Sequence, residues 1–341
     1  MIAVPGRVNL IGEHIDYHNL PVLPIAIGRG VRVEWRPHAD RRIRASSPGY
    51  GSRDFEWTGD LAPVAAGDWE NYLRAAAAIV SQRWGLGCGI DAEIASDLPP
   101  AAGLSSSTAL LIAVTLAILR ANGHEPGFEE LMDVLPEGEH FVGTRGGGMD
   151  HAACLASRAG CASLIGFAPV TVRHIAIPRD WAFLAAHSMV TAEKSGAARE
   201  QYNVRRAAGS AEHVRGEAER VQRAVRAMEQ SDTAAFGGLL VESHASLRDL
   251  LRVSCPALDL LVETALDAGA IGARLTGAGF GGCAVVFCLR SERERLRARL
   301  MERYYSGHAE FDEQKHLIDA EPADGSLCIF KPSTGSSPSF P

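Results

Sequence analysis

The chain has 341 residues and a mass of 36.4 kDa, a length that fits two domains of ordinary size. Apolar residues make up 46% and charged residues 22%, so the chain can bury a sizeable core, which excludes disorder as its dominant state. The formal net charge of −7 argues against general nucleic-acid binding, because that activity needs a basic surface to displace counterions from phosphates.

The cysteines and the N-terminus indicate the compartment. The seven cysteines are scattered and include no CxxC pair, which argues against a disulfide framework and against a zinc site. No apolar run reaches the ~18 residues of a membrane span, and the first residues lack the basic and apolar regions of a signal peptide. The sequence therefore predicts a cytoplasmic protein with reduced thiols, without a membrane or nucleic-acid partner.

The first half of the chain reads as strands followed by helices. Apolar or alternating stretches predict strands at residues 1–8, 21–27, 31–35 and 89–94. A stretch rich in Gly, Ser, Asp and Pro predicts hairpins and loops at residues 48–68. Helices are predicted at residues 69–84, 108–121 and 128–142, the last interrupted near Pro136.

The second half is richer in helices. Charges at helical spacing predict helical structure over residues 192–230, with the charges of 215–226 on a solvated face. Further helices are predicted at 233–251, 255–267 and 291–305, short strands at 273–275 and 283–289, and a frayed tail at 333–341. The pattern predicts two α+β halves that meet around residues 170–190.

The segment at residues 99–109, PPAAGLSSSTA, follows a predicted strand and opens a predicted apolar helix. A helix N-terminus has unpaired N–H groups and partial positive charge, so it suits a phosphate, and serine hydroxyls can donate to that phosphate or bind a hard cation. A helix capped by serine after a turn explains the segment equally well. It is not a Walker loop, because the GK[ST] ending is missing.

Two other segments combine glycine with polar groups. Residues 276–283, TGAGFGGC, contain GxGxxG, but a strand is predicted next and not the helix that a dinucleotide fingerprint requires. The remaining interpretation of residues 276–283 is a turn that faces a ligand or another part of the backbone. Residues 6–17, GRVNLIGEHIDY, gather a guanidinium, two carboxylates and an imidazole. They form either a solvated loop or a site for a ligand rich in hydroxyls.

Taken together, these segments resemble the GHMP kinases, and most closely the galactokinase branch. Residues 6–17 resemble GRxNLIGEHxDY, residues 99–107 resemble PxxxGLSSS, and residues 276–283 resemble TGAGFGGC. Residues 139–150 are similar to EHxFVG…GIMD, residues 202–206 to YNxRR, and residues 243–256 to SHxSLR…VSCP. The matches follow the family order from residue 3 to about residue 290.

The resemblance implies a fold and a reaction. The fold is α+β, with an N-terminal mixed domain over residues 1–180 (ribosomal protein S5 domain 2-like), a ferredoxin-like C-terminal domain over 181–341, and the active site in the cleft between them. The reaction transfers the γ-phosphoryl group of ATP to the anomeric hydroxyl of galactose or a close relative. Mg²⁺ would be the cofactor, ATP and a small sugar the partners, and the protein a monomer or weak homodimer.

The resemblance also assigns roles to residues. Asp150 matches the catalytic aspartate, and Arg7 matches the arginine that faces it across the reacting hydroxyl. Glu139 and Ser107 match the Mg²⁺ ligands. The sugar set comprises Glu13, His14, Asp16, Gly147 and Tyr202. The ATP set comprises Pro100, Gly103, Leu104, Ser105, Ser106, Ser107, Gly277 and Gly279.

The chain departs from the family pattern at a few positions. Ile15 replaces a threonine, Leu20 replaces a glycine, Thr108 replaces an alanine, and residues 250–252, LLR, replace DYE. These departures leave open a kinase for an amino sugar, another hexose or pentose, or a uronic acid, and more remotely for mevalonate or homoserine. A non-catalytic sensor of sugar and ATP is a further alternative, which the intact phosphate segment disfavours.

Overall fold

The computed structural model describes residues 1–144, 146–191 and 210–329. Within these ranges the strands are β1 (Ile2–Ile11), β2 (Leu23–His38), β3 (Arg42–Ser47), β4 (Gly51–Glu56), β5 (Gly89–Ser96), β6 (Cys161–Gly166), β7 (Thr171–Ala176), β8 (Trp181–His187), β9 (Gly272–Leu275), β10 (Cys283–Leu289), β11 (Leu317–Asp319) and β12 (Pro322–Ala323). The helices are α1 (Glu70–Trp84), α2 (Ser106–Ala121), α3 (Phe128–Phe141), α4 (Met149–Ala156), α5 (Ala211–Glu229), α6 (Thr233–Ser246), α7 (Pro256–Asp267), α8 (Arg293–Arg303), α9 (Glu313–His316) and α10 (Ser326–Ile329). The predicted tail at 333–341, the site residue Tyr202 and part of the predicted helical span 192–230 lie outside the described residues.

The first sheet has the strand order β1-β2-β5-β3-β4, and only the pair β3–β5 is parallel. The two predicted strands at 21–27 and 31–35 form parts of the single long strand β2. The sequence analysis missed β3, because only Ile43 and Ala45 of its residues face the core and the others are polar. The helices α1, α2 and α3 pack together, and α2 also packs on β1 and β2.

The helix α3 corrects one prediction. It was expected to be interrupted near Pro136, but it runs continuously through that residue. A proline inside a helix costs about 3 kcal/mol. Leu131 and Leu135 of α3 are fully buried, and each such side chain contributes roughly 1.5–3 kcal/mol, which offsets that loss.

The second sheet begins at Trp181 and has the order β11-β8-β10-β9, all antiparallel. Phe183, Phe236 and Phe287 pack with Trp181 between this sheet and α6, in a core that is continuous with the first half. The predicted helix at 233–251 is α6 followed by a π-helical turn at Leu247–Leu251. The hairpin β6–β7 and the strand β8 were not predicted.

The end of the described chain returns to the first sheet. The strand β12 pairs with β2, and α10 packs against α4 and β1. Residues 322–329 therefore pack with the first half, although they lie beyond the second sheet in sequence. The division into residues 1–180 and 181–341 stays a prediction. Of the described helices, none is both long enough and apolar enough to cross a membrane.

Candidate active site

The first strand meets the two glycine segments at one place. The backbone N–H of Arg7 donates to the carbonyl of Leu104 at 3.2 Å, and its Nη1 donates to the carbonyl of Gly103 at 2.6 Å. Gly277 has a φ of +85°, and a β-carbon there would lie 2.9 Å from the carbonyl oxygen of Gly103. The segments at 6–17, 99–109 and 276–283, which lie far apart in sequence, therefore converge on one site.

A carboxylate pinned by a guanidinium lies at the centre of this site. Arg7 Nε donates to Asp150 Oδ1 at 2.7 Å, and Arg7 Nη2 donates to Asp150 Oδ2 at 2.8 Å. Asp150 lies in the first turn of α4, where the helix dipole favours an anion. Burial alone would lower the pKa of Arg7, but Asp150 and Glu13 outweigh that effect and raise it above its ordinary value. The predicted pair is brought together as a bidentate ion pair.

Ser105 tests one of the two interpretations of the phosphate segment, the serine-capped helix. It occupies the N-cap position of α2 with a φ of +60°, but its side chain does not cap the helix. Its hydroxyl donates to Asp150 Oδ2 instead. The simple serine-capped helix is therefore wrong for this segment, and Ser105 belongs to the hydrogen-bonding environment of Asp150.

The residues predicted for a metal lie on two neighbouring helices. Glu139 of α3 is 7% exposed, and its Oε1 accepts a hydrogen bond from Thr108 Oγ1 at 2.6 Å. Its other oxygen, Oε2, faces Gly146, where a β-carbon would lie 2.8 Å away. Ser107 is half-buried, and its hydroxyl forms no hydrogen bond within the described part of the chain.

Oxygen donors are the ligands that Mg²⁺ prefers, and one or two protein oxygens suffice when phosphates and water complete the shell. Among the described residues there is no cluster of three or more His, Cys, Asp or Glu that could hold a metal ion alone. The donor set of Glu139 and Ser107 therefore fits a cation that arrives with a nucleotide. Their role as ligands stays a prediction.

Asp16 lies against the loop that precedes α4. A β-carbon at Gly147 would lie 2.5 Å from Asp16 Oδ2, so the predicted neighbours Gly147 and Asp16 are in contact. The carboxylate accepts backbone N–H bonds from Met149 and Tyr17. Burial, and then the negative charges of Asp150 and Glu13, raise the pKa of Asp16 to about 6.

Glu13 is buried and paired with a cation that the sequence analysis did not identify. Its Oε2 accepts from Arg274 Nη2 at 2.5 Å and from Asn9 Nδ2 at 2.9 Å. Arg274 Nη1 donates to the carbonyls of Asn9 and Leu10, so this arginine ties β9 to β1. The signal that could have identified Arg274 was its position in β9, a four-residue strand that is buried throughout.

His14 joins the segment at 6–17 to the glycine turn. Its Nε2 lies 3.1 Å from the carbonyl of Ala278, and its Nδ1 lies 3.1 Å from the hydroxyl of Tyr17. Because the carbonyl can only accept, Nε2 carries the proton and Nδ1 accepts from Tyr17. Burial, together with nearby His213, lowers the pKa of His14 to about 4, which leaves the ring neutral near pH 7.

Glu217 of α5 corrects the prediction that the charges of residues 215–226 form a solvated face. It is fully buried, and its Oε1 accepts from the backbone N–H groups of Gly12 and Glu13 and from the hydroxyl of Ser243. Burial would raise the pKa of Glu217, but Arg274 and Arg220 outweigh burial and hold it below its ordinary value. Glu217 shares a helical stripe with the buried residues Val221, Ala224 and Met228, a signal that could have revealed it.

Thr108, one of the departures from the family pattern, contacts Glu139 of this site, whereas Ile15, Leu20 and Leu251 pack in apolar clusters. Ile15 is fully buried in the apolar core, and Leu20 packs against the same core. Leu250 is exposed, and Leu251 is buried in a small apolar cluster with Val253. Because the Ile15 side chain has no accessible surface, it is not available to contact a ligand.

The residues predicted to bind ATP differ in exposure and packing. Pro100 is exposed, Ser106 is half-buried, and the side chain of Leu104 is buried in the core. A β-carbon at Gly279 would lie 2.1 Å from the carbonyl oxygen of Val253, so this glycine permits close backbone packing. The role of these residues in binding ATP stays a prediction.

Family profiles match three parts of the chain. The galactokinase galactose-binding signature matches residues 1–37, the GHMP kinases N terminal domain matches residues 71–158, and the GHMP kinases C terminal domain matches residues 217–307. The first profile covers the segment with Arg7 and Asp16, and the second covers Glu139 and Asp150.

Curated relatives and solved structures extend the match over most of the chain. A galactokinase of Roseiflexus sp. (strain RS-1) is 35% identical and covers 89% of this chain and 87% of its own. A galactokinase of Streptomyces coelicolor is 36% identical, with 83% of each chain covered. The crystal structure of Lactococcus lactis galactokinase complexed with galactose superposes with a TM-score of 0.86 at 24% identity, over 95% of this chain and 93% of that one.

Proposed function

The chain belongs to the GHMP kinase family and, within it, to the galactokinases, and we propose that it transfers the γ-phosphoryl group of ATP to the anomeric hydroxyl of galactose. The observation that carries this proposal is the convergence of Arg7, Asp150 and Ser105 beside the phosphate segment. A phosphoryl-transfer site needs charge stabilisation and positioning and little covalent chemistry, and this arrangement supplies both.

The ion pair supports a role for each of its members. Asp150 accepts the proton of the attacking sugar hydroxyl or stabilises the charge that develops as that proton leaves. Arg7 holds the carboxylate in one orientation through its bidentate contact and offsets negative charge on the phosphoryl group. Ser105 restricts Asp150 further through its own hydrogen bond.

The phosphate segment supports nucleotide binding. The N-terminal turn of α2 directs backbone N–H groups towards an anion, and the hydroxyls of Ser106 and Ser107 lie in that turn. We infer that Ser107 and Glu139 hold Mg²⁺, which neutralises phosphate charge when it is bound with ATP. The glycine turn at 276–283 packs against the same segment and fixes its backbone.

The acidic residues support sugar specificity. Asp16 and Glu13 accept hydrogen bonds, and neither carboxylate is fully used by protein donors within the described residues. A sugar whose hydroxyls reach these oxygens satisfies them, and one that leaves a buried oxygen unpaired loses on the order of 1–3 kcal/mol. That loss corresponds to roughly tenfold to a few hundredfold in discrimination.

The experiment is a comparison of kcat/KM for galactose and glucose, which differ at the 4-hydroxyl, with sugar 1-phosphate and ADP as the measured products. Galactose should be preferred by at least about tenfold. Asp16→Ala should lower both the rate and the preference, while Asp60→Ala, at an exposed turn, serves as the control. Equal rates for the two sugars in the unmodified protein would overturn galactose as the substrate and leave a kinase for another sugar.

We also propose that the protein works in the cytoplasm as a monomer or a weak homodimer. All seven cysteines are described, and all are free thiols, as expected in a reducing compartment. Large exposed apolar side chains in the described part of the chain are scattered residues such as Tyr50, Leu86 and Leu260. A stable obligate dimer would present a contiguous apolar patch instead. Sedimentation at several concentrations tests the oligomeric state.

A further inference from the structure

The hydroxyl of Thr108 donates a hydrogen bond to a side chain of another helix. Thr108 is fully buried in the first turn of α2, directly after Ser107. Its Oγ1 donates to Glu139 Oε1 of α3 at 2.6 Å, across 31 positions of sequence. A short bond from a hydroxyl to a carboxylate is charge-assisted and stronger than a neutral hydrogen bond.

A second threonine of the same helix shows the ordinary alternative. Thr115 is also fully buried, and its hydroxyl donates to the carbonyl of Leu111, four residues earlier. Threonines inside helices commonly satisfy their hydroxyls in this way. Thr108 lies about two turns further towards the N-terminus and donates to Glu139 instead, so its hydroxyl restrains the carboxylate.

The restraint acts on one oxygen of Glu139 and leaves the other directed elsewhere. His151 Nε2 lies 3.7 Å from Oε1, on the same side as Thr108. Oε2 faces Gly146, in the glycine run that leads into α4 and Asp150. A carboxylate held through Oε1 therefore leaves Oε2 facing the glycine run that precedes Asp150.

We propose that Thr108 is a positioning residue, which orients Glu139 so that Oε2 is presented to the Mg²⁺ of the nucleotide complex. This inference rests on the proposed function, because it takes Glu139 as a ligand of that cation. Partners that orient a metal ligand typically change metal affinity 10- to 100-fold when they are removed. The resemblance that identified Glu139 gives no role to this position, where the family pattern has an alanine.

The test compares two substitutions at the same position. Thr108→Val keeps the shape of the side chain and removes the donor, whereas Thr108→Ser keeps the donor and removes a methyl group. Two quantities are measured: Mg²⁺ binding to the complex with a non-hydrolysable ATP analogue, by titration calorimetry, and the Mg²⁺ concentration for half-maximal activity. Thr108→Val should weaken Mg²⁺ binding and raise the Mg²⁺ concentration for half-maximal activity, each about tenfold or more. In Thr108→Ser both quantities should stay close to those of the unmodified protein.

Thr115→Val is the matched control, because it removes a buried hydroxyl from the same helix without touching Glu139. It should leave both Mg²⁺ measurements unchanged. If the Thr108 bond only ties α2 to α3, Thr108→Val will lower the melting temperature and leave Mg²⁺ affinity unchanged, and that result overturns the proposal. If Thr108→Val does not fold, Thr108→Ala carries the same expectation and the same criterion.

Glu139→Gln separates this proposal from the function on which it rests. A neutral amide is a weaker ligand for a hard cation, so this variant should also raise the Mg²⁺ requirement. An unchanged requirement in Glu139→Gln would remove Glu139 from the metal site and overturn both assignments. A raised requirement in Glu139→Gln with none in Thr108→Val would retain Glu139 as the ligand and reject only the role of Thr108.

Discussion

Asp16 is expected to make the unliganded protein less stable near neutral pH. Burial and the charges of Asp150 and Glu13 raise its pKa from 3.8 to about 6. Each pKa unit corresponds to ~1.36 kcal/mol, so a shift of about two units gives an upper bound of ~3 kcal/mol. Asp16→Asn removes the charge but retains a carbonyl oxygen for the N–H groups of Met149 and Tyr17. Because the side chain is only half-buried, solvent screening reduces the expected gain to about 1–2 kcal/mol.

The pH dependence of this gain has a definite sign. A carboxyl group whose pKa is raised by folding stabilises the folded state below its unfolded pKa, and that contribution is lost as pH rises through the folded pKa. The stability advantage of Asp16→Asn should therefore be near zero at pH 4. It should grow between about pH 4 and pH 6 and stay constant above that range. Urea unfolding at half-unit intervals of pH measures it directly.

The same substitution should weaken sugar binding, because an amide cannot accept on both atoms as a carboxylate does. Asp60→Asn, at an exposed turn, is the control and should leave both stability and sugar binding unchanged. A gain in stability together with a loss of sugar affinity would show that the Asp16 charge destabilises the free protein and contributes to sugar binding. An Asp16→Asn protein that is no more stable than the unmodified one at pH 7 would refute the electrostatic argument.

Two further substitutions test the groups around Asp16. Asp150→Asn should lower kcat by orders of magnitude while the ATP analogue still binds in calorimetry, because the neutral amide cannot accept the proton; near-normal turnover would remove Asp150 from the mechanism. Glu217→Gln should raise the KM for the sugar more than it lowers kcat and should destabilise the fold by roughly 3–5 kcal/mol, because it removes the charge of a buried carboxylate that pairs with Arg220 and lies near Arg274. Glu219→Gln, on the exposed side of α5, is its control, and equal KM values in the two variants would contradict the role of Glu217.

The central part of the site was predictable because its chemistry lies in short, ordered segments. Arg7, Asp16 and Asp150 each lie in a motif, and the family order fixed which segments had to meet. The contact of Gly147 with Asp16 follows the same logic. The order of segments carried no information on which hydroxyl would approach which carboxylate, so the bonds from Ser105 and Thr108 emerged only from the structure.

The missed elements have physical reasons of a different kind. The strand β8 is buried throughout and rich in alanine, so it shows neither the alternation of a half-buried strand nor helical periodicity. The burial of Glu217 and Arg274 depends on charges supplied by distant elements, and hydrophobic periodicity cannot represent such partners. Local propensity also overestimated the effect of Pro136 on α3. The helix continues through this proline because tertiary packing outweighs a single lost helical hydrogen bond.

The loop that presents Asp16 is held by the second half of the chain. Glu217 binds the backbone N–H groups of Gly12 and Glu13, and His213 lies 3.0 Å from the carbonyl of Glu13. Arg274 donates a hydrogen bond to the carboxylate of Glu13. Each of these contacts is buried, and a buried charge that loses its partner is strongly destabilising. The position of the acidic residues is therefore set jointly by both halves, so a shift of α5 or β9 relative to β1 would move the proposed sugar site along with them.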